Sequence, residues 1–141
     1  MREHDIYTQI ADYLRYAYPR VIYRFDLAAD LKLTIGQASK HKRLQRYRGY
    51  PDLFIAEPRT VKIDGDKYQY AGLYLEIKKP GTRILTKDGR LVADAHIREQ
   101  FDMLEDLRGR GYMAEFVCGF DEAKEIIDRY MGEPKSQKVE F

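Results

Sequence analysis

The sequence predicts an α/β domain with a mixed central sheet flanked by helices. Three observations support this prediction. Helical periodicity recurs near the start, in the middle and near the end of the chain, with strand-like segments between. The best strand, residues 73–78, alternates apolar and polar side chains. The length of 141 residues suits one domain, which we place at 1–132, followed by a polar tail at 133–141.

The first third of the chain is predicted to contain two helices and two strands. Apolar residues recur every three or four positions over 4–18, and Pro19 ends that helix. β-Branched and aromatic residues predict a strand over 21–25. A short helix is predicted over 37–47, and this segment is basic. A strand over 52–56 follows a turn that contains glycine and proline.

The middle of the chain is predicted to form a central strand between two hairpins. Residues 73–78 carry the strongest strand pattern in the sequence. The Asp-Gly pair at 64–65 is expected at the tip of the first hairpin, between strands at 61–63 and 67–70. The second hairpin is expected to turn at 87–90, where an Asp-Gly pair recurs.

The last third of the chain is predicted to form a helix, a strand and a helix. Asp94 is a suitable N-terminal cap for a helix that runs to about Arg108, where two glycines follow. A strand is predicted over 112–118 and an amphipathic helix over 121–131. This order of elements fits a mixed sheet with helices packed on it.

Composition excludes several classes of protein. Apolar residues make up 44% and charged residues 34% of the chain, so it can bury a core. Its apolar runs are too short for a transmembrane helix, and its N-terminus lacks the pattern of a secretory signal. The single cysteine, Cys118, excludes an internal disulfide, and we interpret it as a small core residue. A reduced, cytoplasmic compartment is therefore expected.

Charge is distributed unevenly along the chain, although the formal net charge is only +2. Residues 1–93 carry 18 Lys and Arg against 11 Asp and Glu, a balance of +7. Residues 94–141 carry 7 against 12, a balance of −5. This asymmetry suits a polyanionic partner for the first part, but on charge alone ordinary surface variation is the favoured explanation.

The central strand places an acid beside a lysine. Because side chains alternate along a strand, Tyr74, Glu76 and Lys78 share one face, and three apolar side chains share the other. The simplest interpretation is a solvent-exposed face with an ion pair of small energetic value. A second carboxylate elsewhere in the sequence favours a different interpretation.

Asp52 supplies that second carboxylate. It opens a strand directly after Pro51 and lies 24 residues before Glu76, which fits an adjacent antiparallel strand and a small hairpin. Two neighbouring carboxylates with a lysine suit a divalent ion, because Mg²⁺ prefers hard oxygen ligands and often uses one or two carboxylates. Such an ion would activate water for attack on a phosphate. Lys78 would either orient or deprotonate that water.

Two more polar residues are predicted to point inward. Glu3 lies in line with the apolar stripe of the first helix, whereas Asp5 and Asp12 point away from the protein body. Gln100 lies within the apolar stripe of the helix that begins after Asp94. Glu3 could simply interact favourably with the helix dipole, and Gln100 could form a hydrogen bond with a backbone group. For both residues, such a structural role is as plausible as a role in the site.

A basic segment is the candidate surface for phosphate contacts. Lys42, Arg43 and Arg46 are predicted on one side of the helix over this segment. Tyr47 and Tyr50 lie among the positive charges, which suits nucleic acid, and a solvated basic helix is the alternative. The five candidate residues are Lys40, Lys42, Arg43, Arg46 and Arg48.

Two segments of the chain resemble the signature of the PD-(D/E)XK nucleases. They are Gly49-Tyr50-Pro51-Asp52 and, after the predicted hairpin, Glu76-Ile77-Lys78. The sequence resembles the VRR-NUC branch more closely, including its small standalone members, which are often encoded by phages. Glu99-Gln100 resembles the glutamine-bearing helix of the family, and residues 119–130 resemble its closing segment. The family's Val-Arg-Arg element is not present as such, and its position is occupied by Arg46-Tyr47-Arg48-Gly49.

The resemblance implies a restriction-endonuclease-like PD-(D/E)XK core and a DNA phosphodiesterase that depends on Mg²⁺ or Mn²⁺. Asp52, Glu76 and the main-chain carbonyl of Ile77 would bind the metal. Lys78 would act on the water nucleophile. The partners would be DNA, including branched, Holliday-junction-like DNA, and a second copy of the chain, with no membrane and no organic cofactor.

The resemblance also implies roles for two residues outside the central motif. Glu3 would be the acid of the first helix, and Asp5 is the other residue that can be aligned with it. Gln100 would be a supporting amide in the catalytic site. We therefore expect a single-domain, metal-dependent DNA endonuclease. The alternative hypothesis is a non-catalytic nucleic-acid-binding module on the same fold.

Overall fold

A computed structural model describes residues 3–27 and 33–132 of the chain, with side chains from Asp5 onward. The predicted site acid Glu3 lies in the first helix, but its side chain is outside the described residues. The predicted tail at 133–141 is also outside them. Asp5 and Asp12 are exposed, in agreement with the prediction that they point away from the protein body.

The described residues form four helices and six strands in the predicted order. The helices are α1 (Glu3–Ala17), α2 (Ile35–Leu44), α3 (Ala95–Arg108) and α4 (Phe120–Met131). The strands are β1 (Tyr23–Phe25), β2 (Leu53–Ile55), β3 (Arg59–Ile63), β4 (Asp66–Tyr70), β5 (Leu73–Lys78) and β6 (Met113–Cys118). Among these described helices, each is too short or too polar to span a membrane.

Four strands form the central sheet in the spatial order β1-β2-β5-β6. β2 pairs with both β1 and β5 in the antiparallel sense, whereas β5 and β6 are parallel, so the sheet is mixed as predicted. The chain connects β2 to β5 through the β3–β4 hairpin, which confirms the predicted antiparallel pair with a hairpin excursion. The parallel pair needs a crossover, and α3 forms part of it.

One face of the central sheet packs against α1 and α4. Leu53, Leu75 and Ile77 from β2 and β5 are fully buried in this layer. Ile10 of α1 and Ile127 of α4 join the same cluster. Burial of one such aliphatic side chain contributes roughly 1.5–3 kcal/mol. This layer therefore fixes the two strands that carry the predicted site motif.

A polar cluster also joins α1 and α4. Oδ1 of Asp128 accepts hydrogen bonds from the hydroxyls of Tyr13 at 2.5 Å and Tyr18 at 2.7 Å. Lys124 Nζ donates to Oδ2 at 2.9 Å. Burial raises the pKa of Asp128, but these hydrogen bonds outweigh that effect and hold its pKa below the ordinary value. Burial and the contact with Asp128 raise the pKa of Tyr13 to about 12.

The opposite face of the sheet is covered in part by α3. Leu104 and Leu107 of α3 form a second apolar cluster with Tyr74 of β5 and Ala114 of β6. Arg24 of β1 is exposed. The helix therefore covers the β5–β6 side of this face and leaves the β1 side accessible.

The β3–β4 hairpin turns at the predicted Asp-Gly pair. Asp64 has φ +51° and Gly65 has φ +87°, as in the two-residue turns whose twist suits a tight hairpin. Arg59 at the start of β3 donates from Nε to the main-chain oxygen of Tyr130 at 3.2 Å. The Tyr130 hydroxyl donates to the carbonyl of Glu57 at 2.6 Å. The base of the hairpin is therefore attached to α4.

The helix α2 lies on the surface and ends earlier than predicted. A capping box between Thr34 and Gln37 begins the helix, and Gln45 at its end is extended. None of its described side chains is buried, so no packing extends the helix. Arg46 therefore lies beyond the helix, and the prediction that it shares one helix side with Lys42 and Arg43 is wrong.

Candidate active site

Asp52 and Glu76 lie opposite each other on neighbouring antiparallel strands. The strands β2 and β5 pair with Leu53 opposite Leu75. The same register, continued by one residue, places Asp52 opposite Glu76. Because directly opposed side chains on antiparallel strands point to the same face, the structure brings the two predicted carboxylates together.

The main chain of Ile77 is turned toward Asp52. The amide N–H of Ile77 donates to Oδ2 of Asp52 at 2.7 Å. In a strand, the N–H and C=O of one residue point to one neighbouring strand, and those of the next residue point to the other. The carbonyl of Lys78 accepts from the N–H of Gly119 at 2.9 Å, on the β6 side. The carbonyl of Ile77 therefore faces the side of Asp52.

Glu76 is buried in the interior of the protein. It is 3% exposed, and it is the one buried charged side chain in the described part of the chain. The interpretation of its face as solvent-exposed is therefore wrong. The predicted alternation is right, but α3 packs over this side of the sheet. A buried carboxylate requires a cation or hydrogen-bond donors to offset its lost hydration, which favours a role beyond a surface ion pair.

Lys78 lies at the end of β5, half-buried, and follows Glu76 on the same strand face. It is opposite Cys118 of β6 in the parallel register. Burial and the carboxylate of Glu122 raise the pKa of the Cys118 thiol, and the positive charge of Lys78 partly opposes them. Cys118 is half-buried beside the candidate site, so its interpretation as a core residue is wrong.

Gln100 points its amide oxygen into the protein. The residue is half-buried, and Oε1 is fully buried without a hydrogen-bond donor among the described residues. Buried amide oxygens in proteins normally have a partner. Gln100 is therefore able to accept a hydrogen bond from a water molecule or a ligand.

The turn before Asp52 packs against α3 next to Gln100. Gly49 in this turn has φ +75°, which favours glycine. A Cβ at Gly49 would lie 2.9 Å from the carbonyl oxygen of Glu99 and 3.2 Å from the main-chain nitrogen of Gln100. This close approach places the glutamine and the Asp52 turn at the same end of the sheet.

Tyr50 and Tyr74 connect the turn to the central strand. The hydroxyl of Tyr50 lies 2.9 Å from that of Tyr74 in a hydrogen bond, and the two rings meet edge to face with centroids 5.6 Å apart. Phe54 stacks on Tyr74 with a centroid distance of 4.4 Å. Burial, followed by the contact with Tyr50, raises the pKa of Tyr74. Tyr74 therefore stays protonated at physiological pH and anchors the turn.

The available donors fit a divalent ion that prefers oxygen ligands. Within residues 3–27 and 33–132, no group of three or more His, Cys, Asp and Glu side chains could hold an ion together. The candidate donors among the described residues are the carboxylates of Asp52 and Glu76 and the carbonyl of Ile77. Mg²⁺ commonly uses one or two carboxylates and keeps several waters, so donors of these types suit that ion.

The five predicted basic residues are exposed, but they lie on two segments. Lys40, Lys42 and Arg43 belong to α2. Arg46 and Arg48 belong to the loop that leads from α2 into the candidate site. The guanidinium of Arg46 lies over the Tyr47 ring, 5.3 Å from its centroid. The loop therefore carries positive charge toward the carboxylates.

Asp26 is a residue of this region that no sequence motif singles out. Its N–H donates to the carbonyl of Asp52 at 2.8 Å, in continuation of the β1–β2 register. Asp26, Asp52 and Glu76 thus form a row across one face of the sheet. The sequence does show that Asp26 directly follows the predicted strand 21–25. It does not show that this strand pairs with the strand that Asp52 opens, because that pairing joins distant segments of the chain.

A cavity of about 610 Å³ lies beside the candidate site, and we call it the side cavity. Its lining includes Arg24, Asp26, Arg46, Tyr47, Tyr50 and Phe54. Pro51, which directly precedes Asp52, also lines it. The side cavity therefore adjoins the carboxylate row at its β1 end.

Comparison with known proteins identifies the fold. No protein-family model and no curated protein matches the chain. A solved structure named "VRR_NUC domain protein" superposes with a TM-score of 0.63 and 23% sequence identity, over 94% of this chain and 89% of that chain. The likeness thus includes both the central sheet and the helices that flank it. The fold of this chain is therefore that of a VRR_NUC domain, the restriction-endonuclease-like arrangement that the sequence predicts.

Proposed function

We propose that this chain is a divalent-metal-dependent DNA endonuclease. The observation that carries the proposal is the opposed pair of Asp52 and Glu76, with the Ile77 main chain turned to Asp52. Lys78 follows on the same strand face as Glu76. The fold shared with a VRR_NUC domain protein supports a nuclease.

Asp52, Glu76 and the Ile77 carbonyl would hold Mg²⁺ or Mn²⁺. When bound, the ion supplies a Lewis acid for the phosphate and lowers the pKa of a water nucleophile. The burial of Glu76 strengthens its attraction for a cation, because apolar surroundings screen charge less than water does. The hydrogen bond from the Ile77 N–H fixes the orientation of the Asp52 carboxylate.

Lys78 and Gln100 would act on the water and the phosphate. The ammonium of Lys78 has three hydrogen-bond donors, so it can orient the attacking water and offset negative charge that develops on the phosphate. Gln100 Oε1 is buried without a described donor, so it can accept a hydrogen bond from that water. Gln100 is then a positioning residue, held in place by the contact of Gly49 with α3.

The charge distribution supports DNA as the substrate. The carboxylate row, Lys78 and the basic segment all belong to residues 1–93, which carry a balance of +7. Exposed Lys and Arg attract DNA phosphates, and Arg46 and Arg48 lie on the loop that leads to Asp52. We include branched DNA and a homodimer in the proposal, since a symmetric pair of sites would cut two strands.

The test is a cleavage assay with three DNA substrates. Wild type is incubated with supercoiled plasmid, linear duplex and a four-way junction, in Mg²⁺, in Mn²⁺ and in EDTA. We expect cleavage with metal and none in EDTA. Asp52→Asn is expected to bind DNA and to lose cleavage. Asp66→Asn is the matched control, because Asp66 is exposed on the β4 hairpin strand and should leave cleavage unchanged.

Two results would contradict the proposal in different ways. A wild type that binds DNA but cuts none of the three substrates would be the non-catalytic binding module. A wild type without salt-sensitive DNA binding would exclude both hypotheses. Sedimentation of the protein with and without the junction measures whether two copies assemble on it.

A further inference from the structure

We propose that the side cavity binds an unpaired nucleobase of the DNA strand whose phosphate lies at Asp52 and Glu76. This inference rests on the proposed function and adds a base-binding site to it. It assigns to the enzyme a preference for DNA with unpaired bases near the cut, because a base inside a duplex must first be unpaired and unstacked, at a cost in free energy, before it can enter a protein cavity.

The position of the side cavity fits a base next to the reacting phosphate. Tyr50 and Pro51 line the cavity and directly precede Asp52 in the chain. Asp26, whose N–H donates to the carbonyl of Asp52, lines it from β1. The base of a nucleotide is separated from its phosphate by a single sugar. A strand with its phosphate at the carboxylates therefore has a base within reach of the cavity.

The aromatic lining of the side cavity fits the faces of a base. Tyr47 is 64% exposed and Tyr50 is 46% exposed, so both rings have accessible surface. Phe54 continues the lining at the sheet. The Tyr50 ring is held in place by the hydrogen bond between its hydroxyl and that of Tyr74. Such rings are suitable stacking platforms, and stacking accepts every base because each one has a π-face.

The charges around the side cavity fit the sugar-phosphate backbone on either side of the base. Arg24 and Arg46 line the cavity, and both are exposed. The guanidinium of Arg46 lies over the Tyr47 ring, so a positive charge stands directly beside a stacking surface. Aromatic rings interleaved with arginines are typical of surfaces that bind single-stranded nucleic acid. An apolar partner such as a lipid chain would gain nothing from these charges.

The experiment compares two strands that differ only in their bases. One is a fluorescein-labelled single-stranded oligonucleotide, and the other is an abasic strand with the same number of phosphates. Binding is measured in EDTA, so that no strand is cut. The variants are Tyr47→Ala, Tyr47→Phe and Tyr68→Ala. Tyr68 is the matched control, because it is 45% exposed and lies on β4, away from the side cavity.

We expect wild type to bind the strand with bases about tenfold more tightly than the abasic strand. Tyr47→Ala is expected to abolish that preference and to leave the affinity for the abasic strand unchanged. Tyr47→Phe, which keeps the ring, and Tyr68→Ala are expected to behave as wild type. Circular dichroism of each variant confirms that the fold is retained.

Several results would overturn the base-binding site. Equal affinity of wild type for both strands, or an equal loss for both strands in Tyr47→Ala, would show that the cavity does not bind bases. A Tyr47→Ala variant that still prefers the strand with bases would also contradict base binding in the cavity. Failure of the proposed function is a separate result, because wild type would then prefer the strand with bases but cut no DNA in Mg²⁺ or Mn²⁺.

Discussion

The amide nitrogen of Ile77 and Oδ2 of Asp52 are 2.7 Å apart and form a hydrogen bond that joins β5 to the start of β2. The bond attaches one candidate metal ligand to the strand that carries the other. Asp52 therefore has a structural contact in addition to its proposed role as a metal ligand. Different substitutions of Asp52 can distinguish the loss of the hydrogen bond from the loss of the ligand.

Asp52→Ala is expected to lower the free energy of unfolding by about 1–3 kcal/mol, because the Ile77 N–H loses its acceptor. Asp52→Asn keeps an acceptor oxygen and is expected to be destabilised by less than about 1 kcal/mol. Urea unfolding in EDTA measures both values, and both variants should fail to cleave DNA. An equal loss of stability in the two variants would contradict a structural role for this hydrogen bond.

Divalent metal is expected to stabilise the wild type against heat. A metal that binds only the folded state adds roughly 2.7 kcal/mol of stability at a concentration of about 100 Kd. Mg²⁺ or Mn²⁺ should therefore raise Tm, and EDTA should reverse the rise. Glu76→Gln removes a buried carboxylate and should abolish the shift, whereas Asp66→Asn should retain it. A full metal-induced shift in Glu76→Gln would remove Glu76 from the ligand set.

Lys78→Met is expected to lower kcat by about 10²–10⁴-fold, because the side chain keeps its length but loses its donors and charge. The Tm rise in Mg²⁺ should stay the same, since Lys78 is not a proposed metal ligand. Lys79→Met is the neighbouring control, because Lys79 is exposed beyond the end of β5. A similar loss of kcat in both variants would indicate a general charge effect instead of a role at the site.

Gly49→Ala is expected to destabilise the fold more than Gly89→Ala. Both glycines have positive φ, at +75° and +81°, so alanine costs roughly 1–2 kcal/mol at either position. At Gly49 the added Cβ would also lie 2.9 Å from the carbonyl of Glu99, whereas no atom outside the adjoining residues lies within 4 Å at Gly89. The backbone must then shift, at a further cost of about 1–3 kcal/mol. Equal losses in urea unfolding would exclude the close contact with α3.

The stabilising effect of Asp128 is expected to depend on pH. Its pKa is below the ordinary value in the folded state, so its stabilisation is present at neutral pH and is lost as pH falls through that lowered pKa. Asp128→Asn should lose about 1.5–3 kcal/mol at pH 7, and progressively less below about pH 4. Asp102→Asn, at an exposed residue of α3, should cost little at either pH. A pH-independent loss in Asp128→Asn would contradict an ionic role.

Much of the site was predictable because its parts are close in sequence or are set by strand geometry. Alternation along 73–78 places Glu76 and Lys78 on one face without any tertiary information. The 24 residues between Asp52 and Glu76 suit two neighbouring strands with a hairpin between them, and the structure has that arrangement. Local turn chemistry likewise located the Asp64-Gly65 tip.

The features that were not predictable depend on packing between distant segments. The burial of Glu76 follows from the position of α3 over β5, which strand alternation does not reveal. The place of Asp26 in the carboxylate row depends on the pairing of β1 with β2. The early end of α2 reflects a surface helix without tertiary support, where local propensity and capping alone decide the boundary.

The β3–β4 hairpin has a consequence for how such sites diverge. Its base is attached to α4 through Arg59 and Tyr130, while its turn at 64–65 is exposed. Residues inserted at the turn would lengthen the hairpin away from the sheet, at a small entropic cost. The Asp52 and Glu76 carboxylates would keep their positions, because the register of β2 with β5 sets them. A related chain with more or fewer residues between the two acids could therefore keep the same arrangement of the candidate site.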